Sequence, residues 1–447
     1  MNTLRCDILI LGAGPAGMAA ALSAAACDKQ VIILDDNPAP GGQIWRAGPQ
    51  ATQPALARRY RDAIAASAAI RVVNGARLIA RPSAYSVLFE TADGGGVVCW
   101  QKLILCCGAR ELSLPFPGWT LPGVTGAGGL QAQIKQGLSL KGEKVVIAGS
   151  GPLLLAVADT VNKAGGDVTN IIEQAPLPAL LRFASGLWRW PQKLRQLATL
   201  APKGYLSGAQ AIRAHGTTRL EAVTLRQRGV ERTIACDRLA IGYGLIPNIE
   251  TGLLFGCATA QEAIQVNRWQ QTSIADIYAA GECTGFGGSE LALAEGEIAG
   301  YAAAGASQQV QALFTRRARW QRFAEAINRT FRLTESLKDA ATPESLLCRC
   351  EDVRCGDVAA AGGWLQAKLT QRCGMGACQG RTCAASARWL YGWGAPPPTE
   401  PLSLTAAAKR TAGPRPRGNA YCPRPAERRA VTATLLHHRA RQGRQAQ

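Results

Sequence analysis

The stretch that decides the fold runs from Cys6 to Asp35: CDILILGAGPAGMAAALSAAACDKQVIILD. Cys6 to Leu11 is a continuous apolar run, the pattern of a parallel strand buried on both faces. Gly12-Ala-Gly-Pro-Ala-Gly17 follows as a turn. Met18 to Ala26 is rich in alanine, the strongest helix former. Gln30 to Leu34 is a second apolar strand, and Asp35 ends it. Strand, glycine turn, helix, strand and acid fit one dinucleotide-binding βαβ unit. Gly12 permits the tight turn, Gly14 lets the backbone approach a pyrophosphate, and Gly17 lets the helix pack on the strand. Pro15 and Ala16 complete the turn, whose helix N-terminal N–H groups hold phosphate. Asp35 is placed to bond a ribose hydroxyl. The same residues argue against a signal peptide or membrane span. Ile8 to Cys27 is uncharged, but three glycines and Pro15 interrupt it.

Working outward, Pro40-Gly41-Gly42-Gln43 would let the chain pass close to a bound cofactor. Lys102 to Ala109 reads as another buried strand, running into Gly108. The vicinal Cys106 and Cys107 in it read as small packing thiols rather than a redox pair. Lys144 to Ala148 opens a second unit with Gly149-Ser150-Gly151, and Glu173 closes its next strand. Leu154 stands where the third glycine would be, so a leucine there is expected to part helix and strand or widen the turn. Whether this second unit takes NAD(P)H, another adenine nucleotide or nothing stays open. Asp276 to Glu282 is a short strand ending in Gly281-Glu282, ahead of a helix over Leu291 to Ala304. An acid there can meet the ribitol or phosphate region of a flavin.

Gln308 to Leu337 is amphipathic, with Arg316, Arg317, Arg319, Arg322 and Arg329 off its apolar face. Beyond it, six of the chain's 15 cysteines fall between Cys348 and Cys383. A secreted disulfide framework needs a much shorter chain. Two irons need two thiolates each. A C-x-C pair, Cys348 and Cys350, and a C-x4-C pair, Cys378 and Cys383, supply four ligands for a [2Fe–2S] cluster. Cys355 and Cys373 compete for the same places. Gly374, Gly376 and Gly380 let the loop wrap and aim N–H groups at sulfur, while Arg349, Arg372 and Arg381 offset the negative charge. Structural zinc prefers C-x2-4-C on both sides. So many free thiols suit a reducing cytoplasm.

The chain has 447 residues, 50 Lys and Arg against 31 Asp and Glu, hence a formal +19. From Thr405 to Gln447 there are 10 basic residues and one acid, so +9 lies in a Pro/Arg-rich tail expected to be disordered. The basic balance therefore does not imply nucleic-acid binding. No catalytic residue is named: there are three histidines, His215, His437 and His438, and no recognisable nucleophile or carboxylate pair.

On Gly12 to Gly17, Asp35, Gly149 to Gly151 and Ala279 to Glu282, residues 1–305 resemble the two-dinucleotide-domain flavoprotein disulfide reductases. The active-site C-x4-C near Gly42 is missing, so disulfide reduction is not implied. Residues 345–392 resemble a bacterioferritin-associated-ferredoxin-type [2Fe–2S] domain. With LPFPGWTLPGV (Leu114 to Val124), GSGPLLL (Gly149 to Leu155) and GMGACQGRTC (Gly374 to Cys383), the combination resembles the alpha-type subunit of opine oxidases, D-hydroxyproline and dye-linked proline dehydrogenases and hydrogen cyanide synthase.

That resemblance implies an α/β fold with FAD in a discontinuous domain, 1–115 and 241–305. A Rossmann domain at 116–240, a helical linker at 306–344, a cluster domain at 345–395 and a tail at 396–447 complete the expected organisation. It implies an electron-relaying subunit partnered by a D-amino-acid-oxidase-like, FAD-containing beta subunit, with room for a small ferredoxin-like subunit and a peripheral respiratory-chain contact. A self-sufficient NAD(P)H-dependent reductase and a non-enzymatic iron–sulfur scaffold or sensor are the alternative readings.

Overall fold

A computed structural model describes residues 2–49, 51, 53–199 and 204–394. The basic tail lies outside the described residues. The chain is α/β with two Rossmann-like units. In the first, five parallel strands run in the order Ile277–Ala279, Lys102–Leu105, Ile8–Leu11, Val31–Leu34, Ile70–Val73. Ile8 to Leu11 and Val31 to Leu34 are buried throughout, as their unbroken apolar runs require. The order reverses at Ile8–Leu11, between Val31–Leu34 and Lys102–Leu105. A crevice opens at such a switch point, outside the carboxyl ends of the strands. The glycine turn after Leu11 lies there.

The Pro15–Ala25 helix follows, with Pro15 in its first turn. There the missing N–H costs nothing and the fixed φ suits a helix. This helix crosses the Gly288–Ala304 helix at very short range. A Cβ on Gly296 would lie 2.2 Å from the Ala16 carbonyl oxygen, and one on Gly300 2.3 Å from that of Ala20. The crossing locks the far C-terminal end of the unit onto its first helix.

The second unit repeats the design with strands Val124–Gly126, Arg238–Gly242, Lys144–Gly149, Asp167–Glu173 and Tyr205–Ser207, all parallel. Arg238–Gly242 crosses the expected 240/241 boundary and belongs wholly to this sheet. Leu154 stands where Gly17 does in the first unit, and its helix begins one position later, at Leu153 rather than at the proline. It is fully buried, and room for it comes from Gly242 on the adjacent strand, where a Cβ would lie 3.2 Å from Leu154 Cδ2.

Two antiparallel sheets flank these units, neither evident from the motifs. Residues 77–83, 86–91 and 94–99 form one with Asn2–Arg5 at its edge, and 209–215, 222–227 and 230–235 form the other. A 20-residue helix, Gln311–Thr330, leads out of the first unit. The region beyond has a small hairpin (Leu346–Cys348, Val353–Arg354) and helices Cys355–Ala360, Trp364–Gln371 and Cys383–Tyr391 around its own core.

The helix crossing is directly testable. Gly296→Ala raises intrinsic helix propensity by about 1 kcal/mol, yet its methyl meets rigid backbone. It should therefore destabilise the protein, by about 2 kcal/mol, seen as a lower urea midpoint.

Candidate functional site

Three strand ends converge at the crevice of the first unit. Leu11 is in register with Leu105, and Leu105 with Ala279. Gly12, Cys106 to Gly108 and Ala280 to Glu282 therefore sit side by side. Gly12 has φ 106°, and a Cβ on it would lie 2.3 Å from the Cys106 carbonyl oxygen. A Cβ on Gly17 would meet the Gly12 carbonyl oxygen at 1.8 Å, so glycine is required at both.

The Pro40–Gln43 loop folds back onto this turn. The Gly41 N–H donates to the Ala13 carbonyl at 2.8 Å, and a Cβ on Gly42 would approach the Gly14 Cα to 3.0 Å. Gln43 is exposed, its amide oxygen held by Arg46 at 2.7 Å.

Asp35 is buried, and its carboxylate accepts the Ala13 N–H and, at 2.8 Å, the Asn37 N–H. It braces the glycine turn. The other carboxylate at the same strand end is Asp36, which the motif reading passed over; burial and the neighbouring Asp35 charge push it up against the opposing pull of Arg381 and Arg46.

On the other side of the crevice, Glu282 accepts the Gly288 N–H at 3.0 Å through Oε1. Its Oε2 is buried with no hydrogen-bond partner among the described residues. Burial pushes this carboxyl up. A buried carboxylate oxygen without such a partner, at the strand end beside the first glycine turn, fits a ligand that brings hydroxyl groups. These residues fit a dinucleotide flavin. Beneath them, Glu295 Oε2 accepts the Gly281 N–H at 3.0 Å and the Thr284 hydroxyl at 3.2 Å. Burial pushes Glu295 up to about 7. Cys106 is buried and its thiol pushed well up by burial, which suits packing rather than redox exchange.

The second glycine turn is a different environment. Glu173 is fully buried. It accepts the Gly151 and Ala175 N–H groups, both at 2.8 Å, and the Ser150 hydroxyl at 3.1 Å. Above it runs the chain segment that leaves the Gln311–Thr330 helix. Ser150 Oγ also lies 3.1 Å from the Phe331 carbonyl, so its one proton is shared between that oxygen and Glu173, and Gln174 Nε2 donates to the Arg332 carbonyl at 3.1 Å. The Phe331 ring lies 3.9 Å from where a Gly151 Cβ would be.

The same segment carries the chain to the cysteine-bearing region, which docks on residues 110–119 between the two units. Trp119 Nε1 donates to the Leu346 carbonyl at 2.7 Å, and Arg110 Nε to the Arg381 carbonyl at 3.2 Å. Arg349 stacks on the Trp119 ring at 5.0 Å, and Arg388 pairs with Glu262 at 2.7 Å. The LPFPGW stretch is thus a seat: Leu114, Phe116 and Trp119 are buried.

The clustered cysteines form a buried trio and a separate pair. The sulfurs of Cys348, Cys373 and Cys383 lie within 4.8 Å of one another, and Cys350 and Cys378 share a hydrogen bond. Cys373, left open by its spacing, belongs to the trio. Cys355 is buried beside Tyr391. Backbone N–H groups of Gly374 and Glu351 point at the Cys348 sulfur, and those of Thr382 and Gly380 at Cys378. A Cβ on Gly376 would lie 2.2 Å from the Cys350 Cβ, so the loop wraps as tightly as its glycines suggest. Thiol donation from Cys373 and Cys383 holds Cys348 as a thiolate down to about 2. Of the three arginines expected to balance charge, Arg372 is instead paired with Glu351 at 2.7 Å. Converging thiols with backbone N–H groups on sulfur suit a soft metal or an iron–sulfur cluster.

Both halves of the fold, and the crevice between glycine turn and strand ends, define a two-domain flavoprotein oxidoreductase. Residues 6–309 match the family described as pyridine nucleotide-disulphide oxidoreductase. The chain is 31% identical over 453 residues to the HcnB subunit of hydrogen cyanide synthase from Pseudomonas aeruginosa, covering 89% of this chain and 97% of that protein. It is 32% identical over 413 residues to the A subunit of opine oxidase from Rhizobium meliloti, covering 84% and 90%. The crystal structure of L-proline dehydrogenase from P. horikoshii shares the fold, with TM-score 0.61 and 18% identity over 91% of this chain and 80% of that one. The chain therefore belongs to the pyridine nucleotide-disulphide oxidoreductase family, in the group that contains HcnB and the A subunit of opine oxidase. No helix among the described residues is long and apolar enough to cross a membrane.

Glu295 generates a pH prediction. Its folded value, about 7, is raised from 4.5. Its stabilising contribution is therefore full below pH 4.5 and lost as pH rises through 7. The Glu295→Gln variant keeps an oxygen for Gly281 and Thr284 and removes the charge. Its melting temperature should match wild type near pH 4.5 and exceed it at pH 8, by the equivalent of about 3 kcal/mol. Equal melting curves at both pH values would refute this.

Proposed function

We propose that this chain is the FAD- and [2Fe–2S]-containing electron-transfer subunit of a hetero-oligomeric amine or imino-acid dehydrogenase or oxidase, of opine or D-hydroxyproline type, working in the cytoplasm. The observation that carries the reading is a small domain, docked on the flavin-type unit of the same chain, that holds a thiol trio of Cys348, Cys373 and Cys383 and a hydrogen-bonded pair of Cys350 and Cys378. Oxidising a C–N bond to an imine releases two electrons and two protons, which a relay subunit must take from the site of oxidation. FAD supplies two-electron chemistry when bound, and a two-iron cluster supplies one-electron chemistry. The oxidation itself belongs to a partner, a D-amino-acid-oxidase-like flavoprotein subunit. In support, relatives that match over most of their length are named as subunits. The one histidine among the described residues, His215, is held by Thr224 at 2.6 Å within an antiparallel sheet.

In this reading Gly12, Gly14 and Gly17 admit the pyrophosphate, and the N–H groups opening the Pro15–Ala25 helix bind it. Gly42 and Gly108 keep the crevice open. Glu282 Oε2 accepts a ribitol hydroxyl. Asp35 holds the turn, with Asp36 beside it facing the ribose. Cys348, Cys350, Cys378 and Cys383 hold the cluster, since N–H groups already serve Cys348 and Cys378 and the loop closes onto Cys350. Cys373 packs beside them as a thiol donor. The second unit serves as scaffold, with Gly149, Gly151 and Glu173 committed to internal contacts.

Two experiments test this. Serine at Cys348, Cys350, Cys378 or Cys383 should abolish bound iron and acid-labile sulfide, whereas serine at Cys355 or Cys373 should leave both. Loss at Cys373 with retention at Cys350 and Cys378 would move the site to the buried trio. Anaerobic mixing with NADH or NADPH should leave the flavin absorbance unchanged over minutes. Rapid bleaching would restore the NAD(P)H-dependent reductase reading.

A further inference from the structure

Among the described residues of the crossover between Asp167–Glu173 and Tyr205–Ser207, Leu187 and Trp190 are buried with Trp320 and Phe323. Its helix Leu177–Gly186 has no buried residue and lies against the Gln311–Thr330 helix, Phe183 meeting Phe323. Between them is a groove of about 420 Å³ lined by Arg182, Arg189, Arg319, Arg322 and Arg329, with Phe183 on its floor. Phe183 packs edge-on against Phe331 at 5.3 Å, so the groove backs onto the segment that lies against the second glycine turn.

The arginines are not a scattered solvated face. Arg319, Arg322 and Arg329 recur at i, i+3 and i+10, one stripe of their helix. Arg182 and Arg189 are two turns apart on the facing element. All five are exposed, and none is ion-paired with a carboxylate among the described residues. Elsewhere arginines find acids: Arg110 with Glu250 at 2.8 Å, Arg316 with Glu297 at 2.7 Å. Arg319 donates to the Arg189 carbonyl at 3.3 Å and Arg189 lies over the Trp188 ring at 4.8 Å, contacts that leave the charges unneutralised, so five positive side chains around one concavity attract a complementary anion.

We propose that this groove docks an acidic segment of the partner subunit. The inference deepens the hetero-oligomeric reading above and rests on it. The stripe from Arg319 to Arg329 covers about 15 Å at 1.5 Å per residue, the length of four or five extended residues at about 3.3 Å each. Beside the groove the same crossover exposes Leu177, Leu181 and Trp188, the last two 61% and 67% accessible. Exposed tryptophan with neighbouring arginine is the composition of protein interfaces. A free polyphosphate would leave those side chains in water, and a flat lipid surface would not fill a concave groove.

The test uses the full chain co-expressed with its oxidase-type partner. Binding strength is measured by light scattering for wild type, for Arg182→Glu/Arg322→Glu/Arg329→Glu, and for a control reversing exposed Arg71, Arg77 and Arg232. Flavin content and melting temperature establish folding, and the single Arg322→Glu variant serves if the triple does not fold. The groove variant should bind at least about tenfold more weakly, with a flatter salt dependence, and the control should match wild type. Equal affinity overturns the docking site and leaves the hetero-oligomer intact. Separate purification of the wild-type chains removes both. Tripolyphosphate or phosphatidylglycerol vesicles that bind the wild type and lose the groove variant, with complex formation unchanged, also overturn it.

Discussion

Two side chains on the second unit meet the segment after the long helix: Gln174 Nε2 donates to the Arg332 carbonyl, and Ser150 Oγ, whose one proton is shared with Glu173, lies against the Phe331 carbonyl. That pair of contacts fixes where the chain goes after its long helix. The segment lies against the second glycine turn, with the Phe331 ring beside Gly151, and runs on to the 110–119 seat, where the cysteine region docks.

The two glycine turns show how one motif serves two purposes. In the first, Glu282 keeps a buried oxygen without a donor among the described residues, and the loop that folds back over the turn, Pro40–Gln43, itself carries a glycine pair. In the second, Glu173 spends its oxygens on Gly151, Ala175 and Ser150. Burial pushes it up to about 7, an environment satisfied from within. The same motif carries an unpartnered buried oxygen beside one turn and a stretch of its own polypeptide against the other.

The α/β class and both βαβ units are legible in the sequence, because unbroken apolar strands and glycine turns are local signals. The family resemblance is legible for the same reason, in contiguous motifs. What escapes is non-local. Leu154 reads as obstructive until Gly242, on a different strand, supplies the space. Phe331 carries no mark of lying over Gly151. The thiol group is ambiguous for an arithmetic reason: Cys373, Cys378 and Cys383 form two successive C-x4-C pairs, so spacing alone does not choose between them. Asp36 is obscured by Asp35, which has the motif position but turns inward.

Chemical and spectroscopic analysis of the protein as purified tests the central claim most directly. The account predicts one FAD, two irons and two acid-labile sulfides per chain, with a paramagnetic two-iron signal appearing on dithionite reduction. Zinc in place of iron, or a chain that carries no flavin, would contradict it.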